Sequence, residues 1–154
     1  MEMSDERLLP AEREVVWALL NDPDVLRDCI PGCESLEAEG PDAFTGAVRV
    51  KLGPVKARFT GKVTLTDLDF PASYALVGEG QGGLAGFVKG RADIELSEAE
   101  VEATLLRYHV QVQIGGKLAQ LGNRLIDSTS RRLAEQFFER FAERVAAVSD
   151  PSTA

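Results

Sequence analysis

A single histidine, His109, stands in a chain of 154 residues, and Cys29 and Cys33 are its only cysteines. A zinc site needs several His, Cys or carboxylate ligands at fixed spacing, so no metal is expected. The cysteines sit in Cys29-Ile30-Pro31-Gly32-Cys33, a spacing one residue longer than the redox C-x-x-C pattern. A G-x-S-x-G nucleophile elbow is also missing. No apolar run approaches the ~18 residues of a membrane span. The opening, Met1-Glu2-Met3-Ser4-Asp5-Glu6, has neither the basic start nor the apolar stretch of a secretory signal. The expected location is therefore the cytoplasm, where both cysteines stay reduced.

Acidic side chains are absent from one stretch. Residues 45–66 carry Arg49, Lys51, Lys56, Arg58 and Lys62 without a single Asp or Glu, whereas the whole chain has a net charge of −8. The overall acidity argues against general nucleic-acid affinity, which needs a basic footprint. The basic block itself has two readings. It is a docking patch for an acidic protein or the anionic inner face of a membrane, or it is the solvated face of a half-exposed sheet.

What is present reads as one globular domain over residues 1–148, followed by a flexible tail at 149–154. The composition, 44% hydrophobic and 27% charged, is ordinary for such a domain. A short apolar lead-in at 6–10 precedes a helical pattern from Pro10 to Leu20, with Val16, Leu19 and Leu20 on one face. Asp22 can cap a second helix that begins at Pro23 and runs to about Cys29, where Pro31-Gly32 ends it. From Phe44 the pattern alternates with period two. Phe44, Gly46, Val48 and Val50 share one face; after a turn at Gly53-Pro54, so do Val55, Ala57, Phe59, Gly61, Val63 and Leu65. Further strands are expected near 73–79, 86–96 and 103–114, with Val88, Gly90, Ala92, Ile94 and Leu96 pointing inward on the second of these. Beyond Gly115-Gly116, apolar residues from Leu118 to Val145 recur at helical spacing, which predicts one continuous helix to Val148. An antiparallel sheet with one apolar face must cover it, and only this helix is long enough. The fold class is α+β: a curved antiparallel sheet wrapped around a long C-terminal helix, with two short helices after the first strand.

The inward positions are rich in glycine: Gly46, Gly61, Gly78, Gly80 and Gly90 lie on or near them. Strand glycines mark bends or close approaches. Here they serve curvature alone, or curvature that also leaves a cavity. Small-molecule pockets are mostly apolar with a few polar anchors. The candidate lining is Trp17 from the first helix, Phe59, Tyr74, Leu76, Leu84, Phe87 and Tyr108 from the sheet, and Leu121, Leu125 and Ile126 from the long helix. Each of these also fits ordinary core packing. The segment Gly78–Gly86 does not open a helix and has no Lys-Ser or Lys-Thr, so it is not a phosphate cradle. A hairpin at the pocket mouth is expected instead.

Leu9-Pro10-Ala11 and Val16–Pro23 resemble the opening of the START-like, SRPBCC superfamily. Cys29–Glu34, Gly82–Gly90 and Gly115-Gly116-Lys117-Leu118-Ala119-Gln120-Leu121-Gly122, running on to Leu125-Ile126-Asp127, resemble the carbon monoxide dehydrogenase CoxG family. The resemblance covers about residues 5–145. It implies a helix-grip, START/Bet v 1-like fold with a hydrophobic cavity. It also implies a molybdenum hydroxylase of the carbon monoxide dehydrogenase type as partner, a quinone as ligand, and a link to the membrane. Three functions remain in view. One is a non-enzymatic protein that holds a quinone-like isoprenoid. The second is a recruitment or maturation factor with no ligand. The third is a cyclase or hydrolase of the same superfamily, which would need an acid such as Asp67 or Glu79 buried among the aromatics.

Overall fold

The computed structural model describes residues 1–149. The chain opens with strand β1 (Glu2–Leu9) and two short helices, α1 (Arg13–Leu20) and α2 (Pro23–Cys29). Six strands follow: β2 (Cys33–Ala38), β3 (Ala43–Leu52), β4 (Val55–Asp69), β5 (Ser73–Gln81), β6 (Phe87–Glu98) and β7 (Thr104–Gly115). A 3-10 segment, Gly116–Leu121, leads to the long helix α3 (Asn123–Ser149). The tail expected at 149–154 lies, from Asp150 on, outside the described residues.

The seven strands form one antiparallel sheet in the order β1-β7-β6-β5-β4-β3-β2. Consecutive strands from β2 to β7 are neighbours, as short hairpin connections dictate. β1 instead joins the free edge of β7, pairing Glu2 with Gln111 through to Leu9 with Thr104. The two short helices therefore carry the chain from one edge of the sheet to the other.

Local chemistry explains the helix ends. The Asp24 amide donates to Asp22 Oδ1 at 2.9 Å, and Pro23 occupies the first turn, where no amide is needed. At the end of α1 the Asn21 side-chain amide donates to the Trp17 carbonyl at 2.9 Å. Two expectations change. β2 is an additional strand that alternation does not mark, because Cys33–Ala38 is half polar and carries a bulge between Cys33 and Ser35. The C-terminal helix is not continuous from Leu118. Gly122 adopts φ +90, a left-handed conformation that suits glycine and interrupts the helix, so α3 begins at Asn123. Its 27 residues span about 40 Å at 1.5 Å per residue.

Two apolar clusters hold α3 against the sheet. The larger joins Val16, Leu20 and Val25 of the short helices to Leu9, Tyr74, Leu96, Leu106 and Tyr108, and is closed by Phe138, Phe141 and Val145 of α3. The smaller sits at the other end and comprises Leu52, Ala57, Ala85, Leu118 and Ile126. No helix among the described residues is long and apolar enough to cross a membrane.

Candidate functional site: a cavity between sheet and helix

Between the concave face of the sheet and α3 lies a cavity of about 450 Å³ that borders both clusters. β3 supplies Phe44, Val48, Val50 and Leu52 to its wall, and β4 supplies Phe59 and Val63. Val88 of β6 with Val112 and Ile114 of β7 complete the sheet side, and Ile30 and Leu36 lie at one edge. The helix contributes Ile126, Thr129, Ser130 and Leu133, one stripe at helical spacing, with Leu118 preceding it.

The glycines have a double role. Gly46, Gly61 and Gly80 are cross-strand neighbours on β3, β4 and β5, and all three line the cavity. A Cβ on Gly61 would collide with the Glu79 carbonyl, and one on Gly46 with the Ser35 carbonyl. The strands approach too closely there for any side chain, so the curvature itself requires glycine. A Cβ on Gly80 would meet nothing nearer than Phe59 at 3.6 Å, an ordinary contact. At that position the missing side chain leaves space rather than relieving a clash.

Of the ten residues expected to line a pocket, Phe59 and Ile126 do so. The others are elsewhere. Trp17, Tyr74, Leu76 and Tyr108 belong to the larger apolar cluster or pack against it. Trp17 meets Tyr74 edge-on at 4.8 Å, and Tyr108 stacks on Phe138 at 5.1 Å. Phe87 follows the opposite strand parity from Val88 and lays its ring over Gly115 of the neighbouring strand. Leu84 sits on a one-turn 3-10 helix, Gly83–Ala85, and is 89% exposed. Leu121 packs beneath the cavity against the smaller cluster, and Leu125 covers the turn at Gly53. The lining residues passed over were mostly legible: Phe44, Val48, Val50, Val63, Val88, Val112 and Ile114 follow from strand alternation, and Thr129, Ser130 and Leu133 from the helical stripe.

The charged groups lie outside the cavity. Lys62 and Glu79 touch its rim, but both are exposed, and Lys62 lies 3.9 Å from Glu39. Glu34 accepts from Arg49 Nε at 2.8 Å and from Arg58 Nε at 2.6 Å. The two guanidinium groups hold its carboxyl below the usual glutamate range. The basic block is thus partly neutralised, and within it only Lys51 and Lys56, directly opposite on the β3–β4 hairpin, have no ion-pair partner among the described residues. Asp67 is exposed, and Arg91 keeps its carboxyl low. His109 lies on the outer face between Ser4 Oγ and Glu2, whose carboxylate is 3.0 Å from Nε2. Both cysteines are free, and burial pushes the Cys29 thiol up. No cluster of three or more His, Cys, Asp or Glu that could hold a metal occurs among the described residues.

The fold has many solved counterparts. A conserved protein from Geobacillus kaustophilus superposes with a TM-score of 0.88 at 32% identity, over 95% of each chain. A START superfamily protein from Mycobacterium smegmatis gives 0.71 at 12% identity, over 96% of this chain and 99% of that one. The ZhuI aromatase/cyclase from Streptomyces sp. R1128 also gives 0.71, at 14% identity, over 99% and 97%. At the lower identities the likeness is one of fold: a START/Bet v 1-like helix-grip. No curated protein matches the chain in sequence. The family model for CoxG, a carbon monoxide dehydrogenase subunit, matches residues 8–146, and with the helix-grip architecture around an apolar cavity this places the chain in the carbon monoxide dehydrogenase CoxG family.

Proposed function

We propose that the chain is a non-enzymatic binding protein. It holds an apolar small molecule, a quinone-like isoprenoid, in the cavity and links a molybdenum hydroxylase of the carbon monoxide dehydrogenase type to the membrane. The observation that carries the first half is the cavity of about 450 Å³ with its aliphatic and phenylalanine walls. Small-molecule sites span roughly 300–1,000 Å³ and are predominantly apolar. A space of this size encloses a ring and the first isoprene units, and a longer tail would leave through the opening. The acids that an enzymatic reading needs, Asp67 and Glu79, are both exposed, which favours binding over catalysis.

The second half rests on family membership and on one end of the molecule. The β3–β4 hairpin, the β5–β6 connection and the segment entering α3 meet there. Residues 43–66, 80–92 and 103–126, which supply them, contain no acidic side chain. Leu84, 89% exposed, lies on the β5–β6 connection at this end, and Lys51, Lys56 and Lys117 of the same three segments have no ion-pair partner among the described residues. An exposed leucine at an end that carries lysines and no acid suits an anionic bilayer, where each lysine contributes about 1 kcal/mol.

Two experiments test the reading. Titration of the purified protein with a short-chain quinone should show one saturable site. Sedimentation with phosphatidylserine-containing vesicles should pull the protein down at low salt and release it at high salt. Leu84→Asp together with Lys51→Glu should abolish sedimentation and leave quinone binding intact. Failure of the wild-type protein to bind quinone removes the carrier role. Retention of the double variant on vesicles removes the docking role of this end.

A further inference from the structure

Seven large apolar side chains are exposed among the described residues, and four of them, Leu8, Leu68, Phe70 and Val101, lie at one end of the sheet. That end is opposite the β3–β4 hairpin: β1 and β4 finish there, and the β4–β5 and β6–β7 turns reverse the chain. The start of α1 joins them. Arg13 Nη2 lies 3.3 Å from Glu98 Oε1, and Trp17 meets Phe70 edge-on at 5.3 Å. Single apolar residues scattered over a surface need no explanation, but a group at one end marks a contact surface.

The β6–β7 turn is poorly suited to folding alone. Glu102 adopts φ +59, a left-handed conformation that glycine takes up at lower cost. Val101 beside it is 94% exposed and adds nothing to the core. Residues that work against local structure are expected where they serve something outside the fold.

Charge defines what that is. Residues 12–14, 67–72 and 95–102 hold eight acidic side chains and one basic one, Arg13. Glu12, Glu14, Asp69, Glu95, Glu100 and Glu102 are exposed and have no ion-pair partner among the described residues. Such a surface is repelled by an anionic bilayer and by nucleic acid, and it attracts a basic protein surface. A second copy of the chain offers a basic surface only at its far end. That contact is head-to-tail, builds a ring or an open fibre, and covers the lysines that face the membrane in the function proposed above.

We propose that this acidic, apolar-tipped end is the docking face for a protein partner with a basic surface. The proposal rests on the link to a molybdenum hydroxylase given above and adds the face that makes it. With the two contacts at opposite ends of the sheet, one chain holds the bilayer and the partner at once.

The test uses as probe the purified molybdenum hydroxylase of the carbon monoxide dehydrogenase type from the same host. Its affinity is measured for the full-length wild type and three variants: Glu100→Lys with Glu102→Lys, Val101→Ser, and Leu84→Asp with Lys51→Glu at the opposite end. All the substituted side chains are exposed, and circular dichroism checks that each variant folds. The charge-reversed variant should lose about tenfold in affinity and show a shallower salt dependence. Val101→Ser should lose about threefold or more. The opposite-end variant should bind the hydroxylase as the wild type does. Wild-type affinity in both turn variants overturns the docking face and leaves the link to the hydroxylase standing. Self-association in sedimentation velocity that is abolished by charge reversal at either end makes a second copy the occupant and also overturns it. A wild type that binds no hydroxylase overturns both the face and the link.

Discussion

The fully buried Thr104 donates its hydroxyl proton to the Ala11 carbonyl at 2.7 Å. Thr104→Val strands that buried carbonyl and should destabilise the protein by about 1–3 kcal/mol. A denaturant melt decides the point, and a loss below about 0.5 kcal/mol would contradict it. The glycines make a contrasting pair. Gly61→Ala forces a methyl group onto the Glu79 carbonyl and should cost about 1–3 kcal/mol through overpacking. Gly80→Ala meets only an ordinary contact at 3.6 Å and should stay within about 0.5 kcal/mol of the wild type. It should instead weaken ligand binding, because its methyl group takes up cavity volume. Glu34 adds a pH effect. Its carboxyl is held down by Arg49 and Arg58, so its contribution is present above the ordinary glutamate value of about 4.3 and fades as pH falls through the lower folded value. An NMR titration should place its midpoint below the ordinary glutamate value of about 4.3. A midpoint at or above that value would contradict the double bridge.

The elements divide the molecule into a solid end and a hollow end. Aromatic side chains gather at the solid end, where Phe137, Phe138 and Phe141 of α3 meet Tyr108 and the two short helices. Phe141, fully buried, should cost about 3–5 kcal/mol on replacement by alanine, and a loss below 1 kcal/mol would contradict its place in the core. Aliphatic residues and glycines, with the two phenylalanines Phe44 and Phe59, face the hollow end. This division explains what was and was not legible in the sequence. Period-two alternation located β3 to β7, because each strand is wet on one side and dry on the other. Asp22-Pro23 located the start of α2. The assignment of aromatics to the pocket was misleading: Trp17, Tyr74 and Tyr108 are large enough to fill space, and they fill it. Gly122 was ambiguous for another reason. It falls on the helical stripe by spacing, and only its left-handed backbone shows that the helix begins after it. Phe87 belongs to the outer face by the same alternation that turns Val88 inward, so parity was a better guide than residue type.

At the scale of the whole molecule, the sheet wraps a helix without filling the space between them. The larger cluster anchors the C-terminal half of α3, and the smaller one closes the far end around Leu52, Leu118 and Ile126. The cavity lies where both clusters thin out, against a wall of strands that only glycine permits to bend so sharply. The family is named for a carbon monoxide dehydrogenase subunit, and the function proposed above puts an apolar molecule of moderate size in the cavity. The most direct measurement is native mass spectrometry of the full chain purified gently from its own host, followed by organic extraction of whatever accompanies it. A stoichiometric, uncharged isoprenoid quinone, released on denaturation, is the expected result. An empty protein that also declines added dimethylnaphthoquinone would contradict the carrier role, and the cavity would then be a by-product of the curved sheet.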